Sequence, residues 1–368
     1  MYVRRFLSFH ELRPFQTQWE LAAGNIPFQT WNWITTWWEH FGGSSRELFV
    51  LGVFDDRNTL LGAAPWYVEE SRVWGRVVRI LGEEEVASDH VSLLALPGAG
   101  PTVAVALAAW ISKEEGVAWD TLDLNGVDAD HPSLCLFFQR LTEMGHAIHS
   151  TRTVSCWSVT LPGDWNTFVA RCSKNHRKRI RKAERTILDT PRANFRVPRD
   201  ADELRTAYAI LVDLHQRRRR MLGEPGYFDS PDLAAFLEEA TGLLFAEGNV
   251  VVPWLEIDGV PAAAEYLLLG GGTVFAYQCG MNPDLAAISP GSLAQTAVIR
   301  WAVRSGFMRY DLLRGDEPYK TARCRPRARR RVYVFSRLLE GRMRHQLCAA
   351  GYAVKQTVKS GLSWIGYE

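Results

Sequence analysis

The sequence has no CxxC pair and no histidine at metal-ligand spacing; its six cysteines, Cys135, Cys156, Cys172, Cys279, Cys324 and Cys348, are scattered along the chain. That excludes the usual structural zinc motifs, and no metal is expected. No stretch approaches the roughly 18 uninterrupted apolar residues of a membrane-spanning helix. The opening MYVRRFLSFHELRPF lacks the apolar core of a signal peptide, so the expected location is cytoplasmic. Overall charge is also nearly absent, since 43 Lys and Arg offset 41 Asp and Glu to leave +2. The bases are nevertheless clustered, at Arg177–Arg185, Arg217–Arg220 and Arg323–Arg331, and local patches matter more to a partner than the total.

What is present concentrates in YDLLRGDEPYK, Tyr310–Lys320. Leu312 and Leu313 anchor a buried strand. Gly315 breaks it, so that Arg314, Asp316, Glu317, Tyr319 and Lys320 gather at a strand end, where open α/β sheets place ligand chemistry. The competing reading is a salt-bridge cluster of Arg314, Asp316 and Lys320 that closes a loop.

The surroundings of this segment occur twice. WISKEEGVAWDTLDLNG (Trp110–Gly126) parallels WAVRSGFMRYDLLRG (Trp301–Gly315), with Trp110 matching Trp301 and Asp120 matching Asp311. FVLGVFDDRNTLLGAAPWYV (Phe49–Val68) and VVVPWLEIDGVPAAAEYLLL (Val250–Leu269) each read as two apolar runs joined by an Asp-centred hairpin turn. LPGAG (Leu96–Gly100) and SPGS (Ser289–Ser292) introduce the helices that follow. Three matches in one order imply a duplicated module, as does a length suited to about two domains. The expected division is 1–150, 151–340 and a helical tail over 341–368.

Periodicity predicts an aromatic helix over 27–43 and strands near 48–54, 60–68, 76–81, 90–95 and 119–124. It places helices near 101–113 and 132–144. The second half begins with a strand at 155–162 and a long basic helix capped by Ser173. Helices near 201–221 and 231–246 follow. Strands near 249–257, 260–269 and 273–281 then lead through a helix over 293–304 into the YDLL strand. A meander, a helix and a parallel strand make an α+β plan.

These words in this order, PFQTWNWITTWW (Pro27–Trp38), LGEEEVASDHVSLL (Leu81–Leu94), SKNHRKRIRKAER (Ser173–Arg185), LHQRRRRMLGEPGYF (Leu214–Phe228) and LLRGDEPYK (Leu312–Lys320), resemble the two-domain acyltransferases of the GNAT superfamily. The likeness is to the acetyltransferases of cellulose and exopolysaccharide production, which are similar to the Fem peptidoglycan aminoacyltransferases. It covers about residues 25–335. It implies tandem GNAT-like domains, each a mixed, mainly antiparallel sheet flanked by helices. It also implies transfer of an acyl group from acetyl-CoA or another acyl-CoA to an amine or hydroxyl of a saccharide or envelope precursor.

Such a site needs a base for the attacking amine, donors for the tetrahedral oxyanion and an acid for the departing thiolate. Asp316 is the first candidate for the base, with Glu317 its rival. Tyr319 suits the acid, and Lys320 and Arg314 suit phosphate or the oxyanion. Glu265 interrupts the apolar run AAAEYLLL, as an active-site base or by simple alternation to solvent. Gly291 and Ser292 open the helix that would receive a pyrophosphate, or form an ordinary helix start. His215 contacts substrate or packs; Asp89 reaches a cleft with His90, or sits in a turn. The superfamily's Q/R-x-x-G-x-G/A phosphate loop is absent, which keeps a tRNA-linked donor open, bound along the basic helix and the Arg323–Arg331 run. A non-catalytic module gripping an anionic polymer is the alternative from another class. The tail mixes Arg and Lys with Leu, Val, Trp and Tyr at helical spacing, as a peripheral membrane contact at the inner face would.

Overall fold

The computed structural model describes residues 1–115, 117–128, 130–317, 320 and 324–364, with side chains as far as 351. The chain forms two compact units. One comprises Met1–Gly24, Phe28–Thr153 and the chain from Ala328 onward; the other comprises Asn25–Pro27 and Val154–Arg327.

In the first unit, Tyr2–Phe6, Val50–Phe54, Leu60–Ala64 and Leu94–Ala95 form a four-stranded antiparallel sheet. The hairpin turn at its centre is built as its sequence requires: the Asp55 carboxylate accepts the Arg57 and Thr59 N–H groups at 2.9 and 2.8 Å. A second sheet runs Arg325–Phe335, Thr121–Val127, Gly75–Ile80, Trp66–Ser71, Arg46–Leu48. The strands Gly75–Ile80 and Thr121–Val127 are parallel, paired at Val77↔Thr121 and Val78↔Leu122, and the helix Gly100–Lys113 makes the crossover. Its Val103, Leu107 and Ile111 are buried with Trp119, Leu122 and Phe137, each such side chain stabilising by about 1.5–3 kcal/mol. Trp31, Trp33 and Trp37 of the helix Trp31–Phe41 are core residues, and the Trp33 indole donates to Ser88 Oγ at 2.8 Å.

The second unit repeats the plan. Its sheet runs Ala193–Arg196, Trp254–Ile257, Val260–Gly270, Thr273–Met281, Arg309–Arg314 and then the later half of Ala147–Thr160. Asp258 and Gly259 both have positive φ, +52° and +79°, and Ile257 pairs with Val260; this is the two-residue turn that an Asp-Gly pair favours. The helix Pro290–Arg304 crosses over to Arg309–Arg314, which lies parallel to Thr273–Met281. Leu267, Val274, Val298, Val303 and Tyr310 form the core between sheet and helix. Hairpin, crossover helix and parallel strand thus occur twice in the same order, in mixed sheets flanked by helices.

Two stretches differ from expectation. The basic helix is α-helical over Lys174–Ala183, with Ser173 as its cap. It then widens to a π-turn at Glu184–Leu188, where the buried Glu184 carboxylate accepts from the Trp165 indole at 2.6 Å and pairs with Arg181 at 3.0 Å. The described part of the arginine run lies in the strand Arg325–Phe335, where Arg325 and Arg327 are exposed but two of the arginines turn to internal partners. The Arg331 guanidinium clasps the buried Asp123 carboxylate, at 2.6 and 2.7 Å. Arg329 is buried against His90 Nδ1 at 2.7 Å and Asp128 at 3.7 Å. Arg323 lies outside the described residues.

Candidate active site

The parallel strands of the second unit separate. Pairing joins Thr273, Val274 and Phe275 to Arg309, Tyr310 and Asp311, and goes no further, although both strands continue. Each has a reason to leave. Thr273–Met281 follows its antiparallel neighbour through a register shift at Tyr266/Leu267, where Tyr277 is the extra residue, and such bulges bend a strand. On the other arm the register breaks between Asp311 and Arg314. There Leu313 adopts φ +57°, a conformation unfavourable for a branched residue. The buried Asp311 carboxylate holds it by accepting the Leu313 N–H at 2.8 Å. The result is a V-shaped opening with Tyr277 and Cys279 on one arm and Leu313 and Arg314 on the other.

Around this opening the candidate residues divide. Glu265 faces no solvent: it is buried opposite Cys279 and accepts a hydrogen bond from the Tyr310 hydroxyl at 2.9 Å. Loss of hydration pushes its carboxyl up to about 7, with the Tyr310 bond opposing. The Cys279 thiol is pushed up to about 11, first by desolvation and then by the Glu265 charge, with Arg219 and Lys320 opposing. Yet Cys279 keeps accessible surface. Dense surroundings and an open face together mark the wall of a cleft; the accessible area decides that solvent and ligands reach it.

In the LLRGDEPYK segment, Asp316 is exposed, and its Oδ1 accepts from the Ser155 N–H at 3.2 Å and the Trp157 indole at 3.1 Å. It therefore ties the loop after the strand to the strand Ala147–Thr160. Lys320 is buried, donating to the Arg314 carbonyl at 2.9 Å and pairing with Glu317 at 2.9 Å. Gly315 has φ +126°, and a Cβ there would meet the Glu317 carboxylate at 2.4 Å, so only glycine lets this loop fold back. Tyr319 lies outside the described residues.

A Cβ at Gly291 would come within 2.6 Å of Met281 Cε, the movable end of a flexible side chain, so packing favours glycine there without demanding it. Ser289, at φ +55°, turns its carbonyl to accept the Ser292 and Leu293 N–H groups at 3.0 and 3.3 Å. Those two amides are therefore engaged within the helix start. His215 packs rather than facing a ligand: Nδ1–H donates to the Cys279 carbonyl at 2.9 Å, which leaves Nε2 to accept the Tyr227 N–H at 3.2 Å. Burial lowers its pKa. Asp89 belongs to the first unit, buried in an irregular segment beside His90, which has φ +59°.

Sequence reasoning overlooked three features. Tyr277 and Tyr227 approach each other at 3.2 Å between hydroxyls; burial raises both pKa values, that of Tyr227 to about 12, and the Arg314 charge acts on Tyr277. The signal for Tyr227 was present in GEPGYF, whereas nothing local marks Tyr277 as a bulge. Third, a cavity of about 120 Å³ lies between the basic-helix region, the helix Pro290–Arg304 and the strand Arg309–Arg314. Its rim carries Arg171, Ser173, His176 and Gln295, and Tyr310 and Leu312 line its apolar part. It is smaller than the ~300–1,000 Å³ of a drug-sized site and suits an acyl chain better than a nucleotide. Among the described residues no three His, Cys, Asp or Glu side chains converge as metal ligands.

Residues 174–321 match the family described as acetyltransferase (GNAT) domain. No curated protein matches the sequence. Among solved structures, FemX is similar over 94% of this chain and 99% of its own, with TM-score 0.60 and 11% identity. A conserved protein of unknown function from Bacteroides thetaiotaomicron aligns over 91% and 100%, with TM-score 0.56 and 8% identity. The C-terminal domain of a protein from Agrobacterium fabrum described as a lysylphosphatidylglycerol synthetase aligns over 89% and 92%, with TM-score 0.52 and 10% identity. The chain carries a GNAT domain match in its second unit and shares its fold with FemX along nearly its whole length.

Proposed function

We propose that the second unit is an acyltransferase that moves an acyl group from a coenzyme A thioester to an amine or hydroxyl of a saccharide or envelope precursor. The observation that carries this is the parting of Thr273–Met281 from Arg309–Arg314 beside the helix Pro290–Arg304. A thioester-bearing arm needs an extended slot with unpaired strand edges on both sides, and the V supplies one. Tyr310 lines the neighbouring cavity and bonds Glu265. In the proposed step the acceptor nitrogen or oxygen attacks the thioester carbonyl and gives its proton to the Tyr310 oxygen as Tyr310 passes its own to Glu265. The proton returns along the same path to the thiolate when the carbon–sulfur bond breaks. A carboxyl poised at about 7 suits both directions. Asp316 sets the position of the loop that closes the site.

A second reading, aminoacyl transfer from tRNA, is favoured by one observation. Lys174, Arg177, Lys178, Arg179, Lys182 and Arg185 are exposed around the helix that opens the GNAT match, a surface suited to polyphosphate. The engaged amides of Ser292 and Leu293 point the same way.

Thermal unfolding with a panel of acyl-CoA thioesters separates the two. A donor at one hundred times its Kd stabilises by about 2.7 kcal/mol, and the shift should grow with the logarithm of its concentration. No shift with any thioester, together with no labelled acyl product, removes the coenzyme A reading. Retention of aminoacyl-tRNA with a steep salt dependence then supports the other.

A further inference from the structure

The helix Leu339–Trp364 belongs to the first unit, and over residues 339–348 it is mounted with its polar and small residues inward. Gly341 abuts the Ser336 carbonyl, which a Cβ would meet at 2.1 Å. Arg344 pairs with Asp120 at 3.0 Å, the His345 ring lies 5.4 Å from that of Phe335, and Cys348 is buried with Tyr333 and Phe335. Positions 341, 344, 345 and 348 share one helical face. The opposite face is apolar and open: Leu339, Met343 and Leu347 are 75%, 56% and 62% exposed. An amphipathic helix that served only its own core would be turned the other way. The sequence extends the same spacing through Ala350, Val354 and Val358.

The charge on this helix selects the occupant. Arg344 is spent on Asp120 and Glu340, which leaves the helix sequence with Arg342, Lys355 and Lys359 and no further acid. A second copy of the helix would bring like charges together, with no acids to pair across the seam. Anionic phospholipid headgroups complement the bases, while the shallow acyl layer accepts an apolar stripe. No described helix is long and apolar enough to cross a bilayer. We infer that the Leu339–Met343–Leu347 face docks the protein on an anionic lipid surface, lying in the plane of the interface.

The test is cosedimentation of the full chain with vesicles of phosphatidylcholine, alone or with about one-third phosphatidylglycerol. Binding should require the anionic lipid and weaken as salt is raised. The double variant Met343→Glu/Leu347→Glu should bind at least about tenfold less, with an unchanged melting temperature because both positions are exposed. Sedimentation equilibrium without lipid runs in parallel. Equal binding to both vesicles, binding to neither, or a dimer dissolved by Leu347→Glu in a protein that ignores vesicles overturns the inference. Acyl transfer to a water-soluble acceptor is read separately in the same variant and should be unaltered, so failure of the lipid site is distinguishable from failure of the transferase reading.

Discussion

The Tyr310 hydroxyl donates to the buried Glu265 carboxylate at 2.9 Å, linking the two strands that flank the departing arm of the V. Because burial raises the Glu265 carboxyl from 4.5 to about 7, the folded chain holds a proton that the unfolded chain releases above about pH 4.5. The associated stability is complete below that pH and is lost as pH rises through 7. A shift of this size corresponds to something on the order of 3 kcal/mol. Melting temperature should therefore fall between pH 5 and 8 in the wild type, and fall less in Glu265→Gln, which keeps an acceptor for Tyr310. In turnover, Glu265→Gln and Tyr310→Phe should each lower kcat by about 10²-fold or more, with the limb of the pH profile near 7 abolished. Wild-type pH profiles in both variants would exclude the relay.

His215 has the opposite sign. Desolvation lowers its pKa below the ordinary 6.5, so the folded state resists a proton that the unfolded state takes up. Its contribution is present above pH 6.5 and lost as pH falls through the folded value. Acid unfolding should begin on this limb and be blunted in His215→Gln. His215→Ala should also cost roughly 1–3 kcal/mol, by leaving the Cys279 carbonyl and the Tyr227 N–H without their partner.

Asp316 separates anchoring from chemistry. Its Oδ1 accepts from Ser155 and Trp157, and an asparagine presents the same acceptor. Asp316→Asn should hold kcat within a few-fold of the wild type, whereas Asp316→Ala should lose about 1 kcal/mol or more and reduce turnover as the loop drifts. A loss of two orders of magnitude in Asp316→Asn at unchanged stability would instead make this carboxylate the base.

Much of the architecture could be read from local pattern. The helix Pro231–Ala246 lies where periodicity places it because it presents one apolar stripe to the core, and the strand Thr273–Met281, buried at both Val274 and Phe275, lies within its expected bounds. The two hairpins were legible for a different reason: Asp with Gly or Asn accepts the positive φ that a tight turn imposes. The site was less legible. Nothing in the sequence announces that Leu313 turns left-handed, because its support is Asp311 in a strand that breaks register. Glu265 could be singled out but not oriented, since its burial depends on Tyr310, 45 residues on. Arg329 and Arg331 misled most. Their partners, the hydrogen-bond acceptor His90 and the carboxylates Asp128 and Asp123, lie about 200 residues earlier, and a run of arginines looks solvated unless those partners are known.

That last contrast gives a test of which bases serve a partner. Asp123 is only 3% exposed and is held by both Arg79 and Arg331, at 2.8 and 2.6 Å. Removing one cation from a buried carboxylate costs about 3–5 kcal/mol where it leaves the charge uncompensated; Arg79 remains here, so Arg331→Ala should fall toward the lower end of that range. Its effect on polyanion binding should be no more than the loss of folded protein explains. Arg177→Ala and Lys178→Ala lie on the exposed helix and should leave the melting temperature within the small range of surface substitutions. If that helix grips a polyphosphate, each should flatten the plot of log affinity against log salt by about one contact, a slope change near 0.7–0.9. Filter binding of RNA across a salt series, with melting curves on the same samples, reads both effects. Unchanged slopes in the helix variants would assign those cations to solvation alone and withdraw the support that the helix gives to a tRNA donor.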